Sequence, residues 1–444
     1  MTRHLFLLRK SPGLSTISFN MTRNTTYPLS FLFLALSLSA GEPLPNGSSL
    51  DLKQCYDLAV QQSEPLNRQR EDIVRSQAQA RAALGGAFPH VYWKWSDIRQ
   101  DGSGMGSDGV GSLLEKNQVE SKFSLQQPLF TGLREFSAYA GFKRQEARDQ
   151  WRLRQAELSL YDEVSRAYYD VVALESALLN NATSVALSQD RLGELKSFYR
   201  LGKSREGEIF SAESQLAALK AIQVRLHGQI RVARETLSFL LGQDVGAAPL
   251  AQRFTETPEP VASFLTLAAR RPDLEAQRQE VLAQTLRVRY EKGSYWPIAN
   301  LSGNYYTQRP SFYDPIQWDV MLNVDVPLFQ GGTVKARVKD ARSGLQQAQL
   351  DLDYLERQIQ SDVKKAYEGW TASLEESQSL EEAYRAAKKS HDAQRREYRL
   401  GLVTNLDVLN AMNLMQTAKR AWDDVGVESQ RRYVALVVAT GALP

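Results

Sequence analysis

The chain has 444 residues, of which 43% are hydrophobic and 24% charged, and a formal net charge of +3. These proportions exclude a disordered polymer and a polytopic helical membrane protein. They also give no charge argument for nucleic acid: Arg3, Arg9, Lys10 and Arg23 all fall in an acid-free stretch, residues 1–39, and without them the formal charge drops from +3 to −1.

Residues 1–39 read as an export leader. Arg23 supplies a positive start, Leu29 to Leu38 is apolar but too short to span a bilayer, and Ser37, Ser39 and Ala40 are small residues suited to a cut site. The pattern restarts at Met21, so Met1 and Met21 are both candidate starts. The single cysteine, Cys55, lies well past the apolar run and reads as a small residue on a short helix (LDLKQCYDLAV).

Beyond the leader the chain repeats itself. YRLG occurs at Tyr199–Gly202 and again at Tyr398–Gly401, a shift of 199 residues. The same shift lays Pro128-Leu129-Phe130 on Pro327-Leu328-Phe329, Gly132 on Gly331, and Val164, Ala167 and Tyr168 on Val363, Ala366 and Tyr367. Ala212 falls on Ala411 and Gly242 on Gly441, with no gap needed. So long a period is a duplicated unit and not a solenoid repeat. The expected organisation is a leader at 1–39, a first repeat at 40–242, a linker at 243–261 and a second repeat at 262–444.

Each unit opens with a helix (about 66–86 and 272–293), followed by two short alternating segments, a very long helix, the YRLG stop and a return helix (206–241 and 404–440). The proline-free runs Leu133–Leu201 and Thr333–Leu400 would each extend about 100 Å as helix. Helices this long must bury their stripes against other helices along their whole length. Leu160, Val164, Ala167, Val171, Leu174 and Leu178 alternate steps of four and three, the coiled-coil period. The first helix of each unit can stack end to end on a return helix, giving a hairpin with YRLG at its tip. Gly202 and Gly401 suit the left-handed residue that ends a helix. Thr404 and Ser204 resemble N-caps ahead of first-turn acids.

The alternating segments predict four strands. Val91, Trp93 and Trp95 alternate with Tyr92, Lys94 and Ser96; Val119, Phe123 and Leu125 with Glu120, Lys122 and Ser124. Ala299, Leu301 and Tyr305 follow the same rule, as do Trp318, Val320, Leu322, Val324 and Val326. Alternation alone fits an ordinary sheet with one dry and one wet face. A length of about ten residues and the aromatics also fit a transmembrane barrel. Four strands cannot close one, so a barrel would need two or three chains. The first unit carries a glycine-rich insert, Asp101–Gly111, which does not lead a strand into a helix and so reads as an external loop instead of a phosphate cradle.

No catalytic constellation is visible. His4, His90, His227 and His391 are scattered without metal-ligand spacing. The expectation is no enzyme, no cofactor and no metal site.

The duplicated layout, with Pro-Leu-Phe-x-Gly before each long helix and Tyr398-Arg-Leu-Gly401 followed by Asp407-Val-Leu-Asn410-Ala411, resembles the TolC-like outer-membrane efflux proteins from about residue 50 to 441. The first tip, Tyr199 to Ala212, matches more loosely. The resemblance implies a mixed α/β membrane protein: a homotrimer whose twelve strands form one transmembrane β-barrel, continued by a long α-helical barrel. It would sit in outer-membrane lipid of a Gram-negative-type cell and reach into the periplasm. Substrate would arrive from an inner-membrane transporter through a periplasmic adaptor, in tripartite efflux of small molecules. The tips Tyr199, Arg200, Leu201, Gly202, Tyr398, Arg399, Leu400 and Gly401 would be adaptor-docking turns.

At the gate, the resemblance makes Asp407 the ring acid and has Tyr398 contact Glu208, which stands where the family usually has Asp. Asn410 replaces a second ring acid of some members, and Val403 replaces a basic lock residue. Read from the residues alone, Asp407 and Glu208 are equally helix-capping acids, and Tyr398 a packing aromatic. Two other functions stay open: a type I protein secretion channel of the same fold, and a periplasmic coiled-coil scaffold or adaptor.

Overall fold

The computed structural model describes residues 49–99, 117–251, 259–309 and 315–443. The leader and the glycine-rich insert lie outside the described residues. The elements run α1 (Leu52–Gln62), α2 (Glu64–Gly85), β1 (His90–Arg99), β2 (Asn117–Phe130), α3 (Arg134–Arg200), α4 (Glu206–Leu241), α5 (Val261–Ala268), α6 (Pro272–Lys292), β3 (Ile298–Gln308), β4 (Trp318–Asp325), α7 (Thr333–Arg399) and α8 (Asn405–Thr440).

The two long helices, α3 and α7, have 67 residues each. α3 begins at Arg134, one residue inside its proline-free run, because Leu133 is left-handed (φ 61°). Gly132 before it is left-handed too (φ 71°), and Gly331 and Gly332 repeat the pair ahead of α7 (58° and 79°). Two such residues turn the chain sharply out of the sheet and into each helix. At Gly132 a side chain is also barred by space: a Cβ there would lie 2.1 Å from the Gly293 carbonyl oxygen. The start of α3 and the end of α6 therefore meet backbone to backbone, joining the two repeats beneath the sheet.

α3 packs on α4 and α2, and α7 on α8 and α6, while α6 and α8 fill the space between α3 and α7. The return helices and the opening helices are stacked end to end. α4 ends at left-handed Gly242, against the Gln62 side chain just ahead of α2. α8 ends at left-handed Gly441, against Arg271 and Pro272 at the start of α6. The coiled-coil stripe of α3 is buried at Leu160, Val164, Ala167 and Val171 and half-buried at Leu174 and Leu178.

Two apolar clusters sit at equivalent places in the repeats. In the first, α1 packs Cys55 and Ala59 against Val164, Tyr168 and Val171 of α3. The Tyr168 hydroxyl donates to the carbonyls of Leu50 (3.0 Å) and Ala251 (2.7 Å), tying the chain entry to the stretch after α4. In the second, α5 packs Phe264 and Ala268 against Val363 and fully buried Trp370. Helix α5, the counterpart of α1, carries no caps or charge that would mark it in the sequence.

The four strands form one antiparallel sheet in the order β1-β2-β3-β4. Its register puts the apolar members of the alternation that lie within the strands on one side. Val91 faces Leu125 and Trp93 faces Phe123. Phe123 in turn faces Tyr305, and Leu301, Gly303 and Tyr305 face Leu322, Val320 and Trp318. Among the described residues no helix covers this face: Trp93 is 63% exposed, Trp318 67% and Leu322 60%. The opposite face carries Lys94, Lys122, Asn304, Asp319 and Asn323. Among the described residues, no helix is long and apolar enough to cross a membrane.

Candidate functional site

Both YRLG segments end their helices in the same way. At the first, the Gly202 N–H donates to the Tyr199 carbonyl (2.9 Å) and the Lys203 N–H to the Phe198 carbonyl (2.8 Å). At the second, Gly401 donates to Tyr398 and Leu402 to Glu397, both at 3.0 Å. This pair of bonds is a Schellman motif, which needs a left-handed residue after the cap. Gly202 (φ 70°) and Gly401 (φ 75°) supply it. The repeated tetrapeptide is thus a turn signature. Tyr199, Arg200 and Leu201 are exposed, as are Arg399 and Leu400, but Tyr398 points inward.

The return helices start differently. Thr404 caps α8 with a full capping box: Asp407 N–H donates to Thr404 Oγ1 (3.3 Å), and Thr404 N–H donates to Asp407 Oδ2 (2.8 Å). The Thr404 hydroxyl and the backbone bonds hold the Asp407 carboxyl below its usual range. Asp407 remains exposed, and Asn410 is exposed one turn along. Ser204 does not cap α4, contrary to the sequence expectation. The N-cap is Arg205, without a side-chain bond. Ser204 Oγ donates instead to Glu208 Oε2 at 2.6 Å, because the serine is one residue too early to reach the first free N–H groups.

A cleft of about 880 Å³ opens between the two turns, lined among others by Phe198, Glu208, Tyr398, Val403 and Leu409. On its wall Tyr398 Oη donates to Glu208 Oε2 at 3.4 Å. Burial and the Glu208 charge push the Tyr398 phenol upward.

Beneath the cleft lies a network that sequence reasoning missed. Arg191, 5% exposed, donates to Asn405 Oδ1 through Nη2 (2.6 Å) and Nε (3.2 Å), and its guanidinium stacks 4.1 Å from the Tyr398 ring centroid. Glu194 accepts from Arg191 (3.2 Å), Arg395 (2.5 Å) and Arg399 (2.7 Å). Burial opposes ionisation of Glu194, but the bonds from Arg395, Arg399 and Arg191 overcome it and bring the carboxyl down to about 2. Helix α3 of one hairpin is thereby tied to α7 and α8 of the other. The signal was present: the 3.5-residue stripe of α3 continues past Leu178 as buried Asn181, Ser184, Ser188, Arg191 and Leu195. An arginine at a coiled-coil core position requires partners.

A family model described as outer membrane efflux protein matches residues 55–243 and 266–442. The alkaline protease secretion protein AprF of Pseudomonas aeruginosa is 25% identical over 408 residues, which is 83% of this chain and 80% of that relative. The outer membrane efflux protein BepC of Brucella suis is 22% identical over 333 residues, 72% of this chain and 71% of BepC. Among solved structures, CusC, studied for conformational changes accompanying folding and transmembrane channel formation, superimposes with a TM-score of 0.78 at 15% identity. That match covers 90% of this chain and 96% of the CusC chain.

Proposed function

The chain belongs to the outer membrane efflux protein family, and on that premise we propose that it is the outer-membrane channel of a tripartite exporter. Three copies close their four-stranded sheets into one barrel in the outer membrane, and the hairpins continue it as a tunnel through the periplasm. Substrates enter at the hairpin tips from an inner-membrane transporter, through a periplasmic adaptor that docks on the YRLG turns. The observation that carries this reading is the uncovered apolar sheet face, continuous across all four strands. In a periplasmic scaffold that face would need a covering layer; in a barrel, lipid covers it and the polar face lines water.

At the entrance, Asp407 from each copy forms a ring of carboxylates at the pore axis, and Asn410 leaves that ring single. The Tyr398–Glu208 contact and the Glu194 network hold the two hairpins of each copy together in the resting state. Exposed Leu201 and Leu400 (68% and 73%) offer the adaptor an apolar grip at each turn.

The test is the mass of the detergent-extracted particle, corrected for detergent. Three chains in a particle that stays in membranes through an alkaline wash is the expected result. A monomer or dimer released without detergent would overturn the channel. A second reading, secretion of a protein by the same channel, is favoured by the similarity to AprF, a protease secretion protein by name. Deleting the chain separates the two: sensitivity to small toxic compounds marks efflux, and loss of a secreted polypeptide marks secretion.

A further inference from the structure

At the opposite end of the helices, next to the sheet, a cleft of about 730 Å³ opens between α6 and α7. Lys292 of α6, Lys335, Lys339 and Arg342 of α7, and Tyr295 and Trp296 ahead of β3 form its walls, over buried Val338. Steps of four and three put the three α7 cations on one helix face. The ion pair on this turn joins Arg287 to Asp340 (3.4 Å), and no carboxylate among the described residues pairs with the four cations of the cleft. The two rings are open as well, Trp296 at 60% and Tyr295 at 54%. Trp296 stands two residues before β3, at the rim of the uncovered apolar face. On the neighbouring connection from β4 to α7, Leu328 and Phe329 are almost fully exposed.

We propose that this cleft binds the headgroup phosphate of an anionic phospholipid, in the leaflet nearest the helical tunnel. The inference rests on the sheet lying in lipid. Guanidinium and ammonium groups bind phosphate oxygens, with Arg342 able to do so through two parallel bonds. Tryptophan and tyrosine favour the headgroup level, with the ring body against glycerol and acyl chain. A soluble phosphate would use the cations but gain nothing from the rings or from Leu328 and Phe329. Four unmatched cations in one cleft distinguish an anionic headgroup from a zwitterionic one.

The full chain is reconstituted in nanodiscs of phosphatidylethanolamine doped with spin-labelled phosphatidylglycerol or spin-labelled phosphatidylethanolamine, and the immobilised fraction of each probe is read. The wild type should hold the phosphatidylglycerol probe in preference. K335Q/K339Q/R342Q should weaken that hold by roughly a hundredfold, at about fivefold per cation removed, and K335R/K339R should keep it. Free glycerol phosphate should not displace the probe. Equal immobilisation of both probes, an unchanged preference in the glutamine variant, or displacement by glycerol phosphate would each overturn the proposal. Failure of the chain to enter nanodiscs would overturn the channel reading and this inference with it, whereas insertion without lipid preference would overturn this inference alone.

Discussion

Replacing Glu194 tests whether its network fastens the two hairpins at the tip. Among the described residues, Glu194 is the one acid in contact with Arg191, Arg395 and Arg399, and its side chain is 20% exposed. Bringing its carboxyl from the ordinary 4.5 to about 2 corresponds to about 3 kcal/mol of preference for the closed arrangement. In Glu194→Ala, Arg191 keeps Asn405 and the Tyr398 ring, and Arg395 and Arg399 can turn to water, so a loss of about 2–3 kcal/mol is expected. Hydrogen exchange reads this as local opening. Tip amides of α3, α7 and the two turns should exchange roughly thirty- to a hundredfold faster at neutral pH, with amides around Val164–Val172 unchanged. Glu194→Gln, which keeps the shape and removes the charge, should give most of the effect. The pH sign follows from the lowered folded value: the contribution is complete above about 4.5 and disappears as pH falls toward about 2. Wild-type tips should therefore exchange with equal protection at pH 5 and pH 7, once intrinsic rates are divided out. Wild-type exchange in both variants would refute the fastening role, and so would equal loosening along the whole of α3.

Thr404→Ala removes the capping box of α8 and should destabilise the first turns of that helix by about 1 kcal/mol, seen as faster exchange at Asp407 and Val408 only. Asp407→Asn separates capping from gating. Its amide oxygen still accepts from Thr404, so tip exchange should hold, while block of single-channel current by multivalent cations should weaken; unchanged block would remove Asp407 from the pore. Gly202→Ala meets open space at its Cβ and should cost only the left-handed backbone, about 1 kcal/mol. Gly132→Ala puts its methyl into the Gly293 carbonyl and should abolish recovery of membrane-inserted protein; normal insertion would show that the junction can shift.

What was legible in the sequence is what depends on neighbours along the chain. The long helices follow from proline-free runs with a 3.5-residue stripe, the strands from period-two alternation, and the tips from a left-handed glycine after a helix. Each signal was doubled by the repeat, which made it stronger. The same doubling hid the hairpin fastening, because three of its members stand at positions where the copies differ. The shift of 199 residues lays Arg191 on Ser390, Glu194 on Ala393 and Asn405 on Glu206. A comparison of the two copies keeps YRLG and discards all three. Tyr398 is half-buried against Arg191 and Phe198, while its twin Tyr199 is exposed, although the tetrapeptides are identical. Two identical hairpins would have to meet each other and the next copy through equivalent surfaces. Two different ones can make one contact within the copy and keep another surface for contacts between copies. The divergence of the repeats at Arg191 and Glu194 gives the tip an internal joint that reaches into the second YRLG turn at Tyr398 and Arg399 and leaves the first turn, Tyr199 to Gly202, outside it.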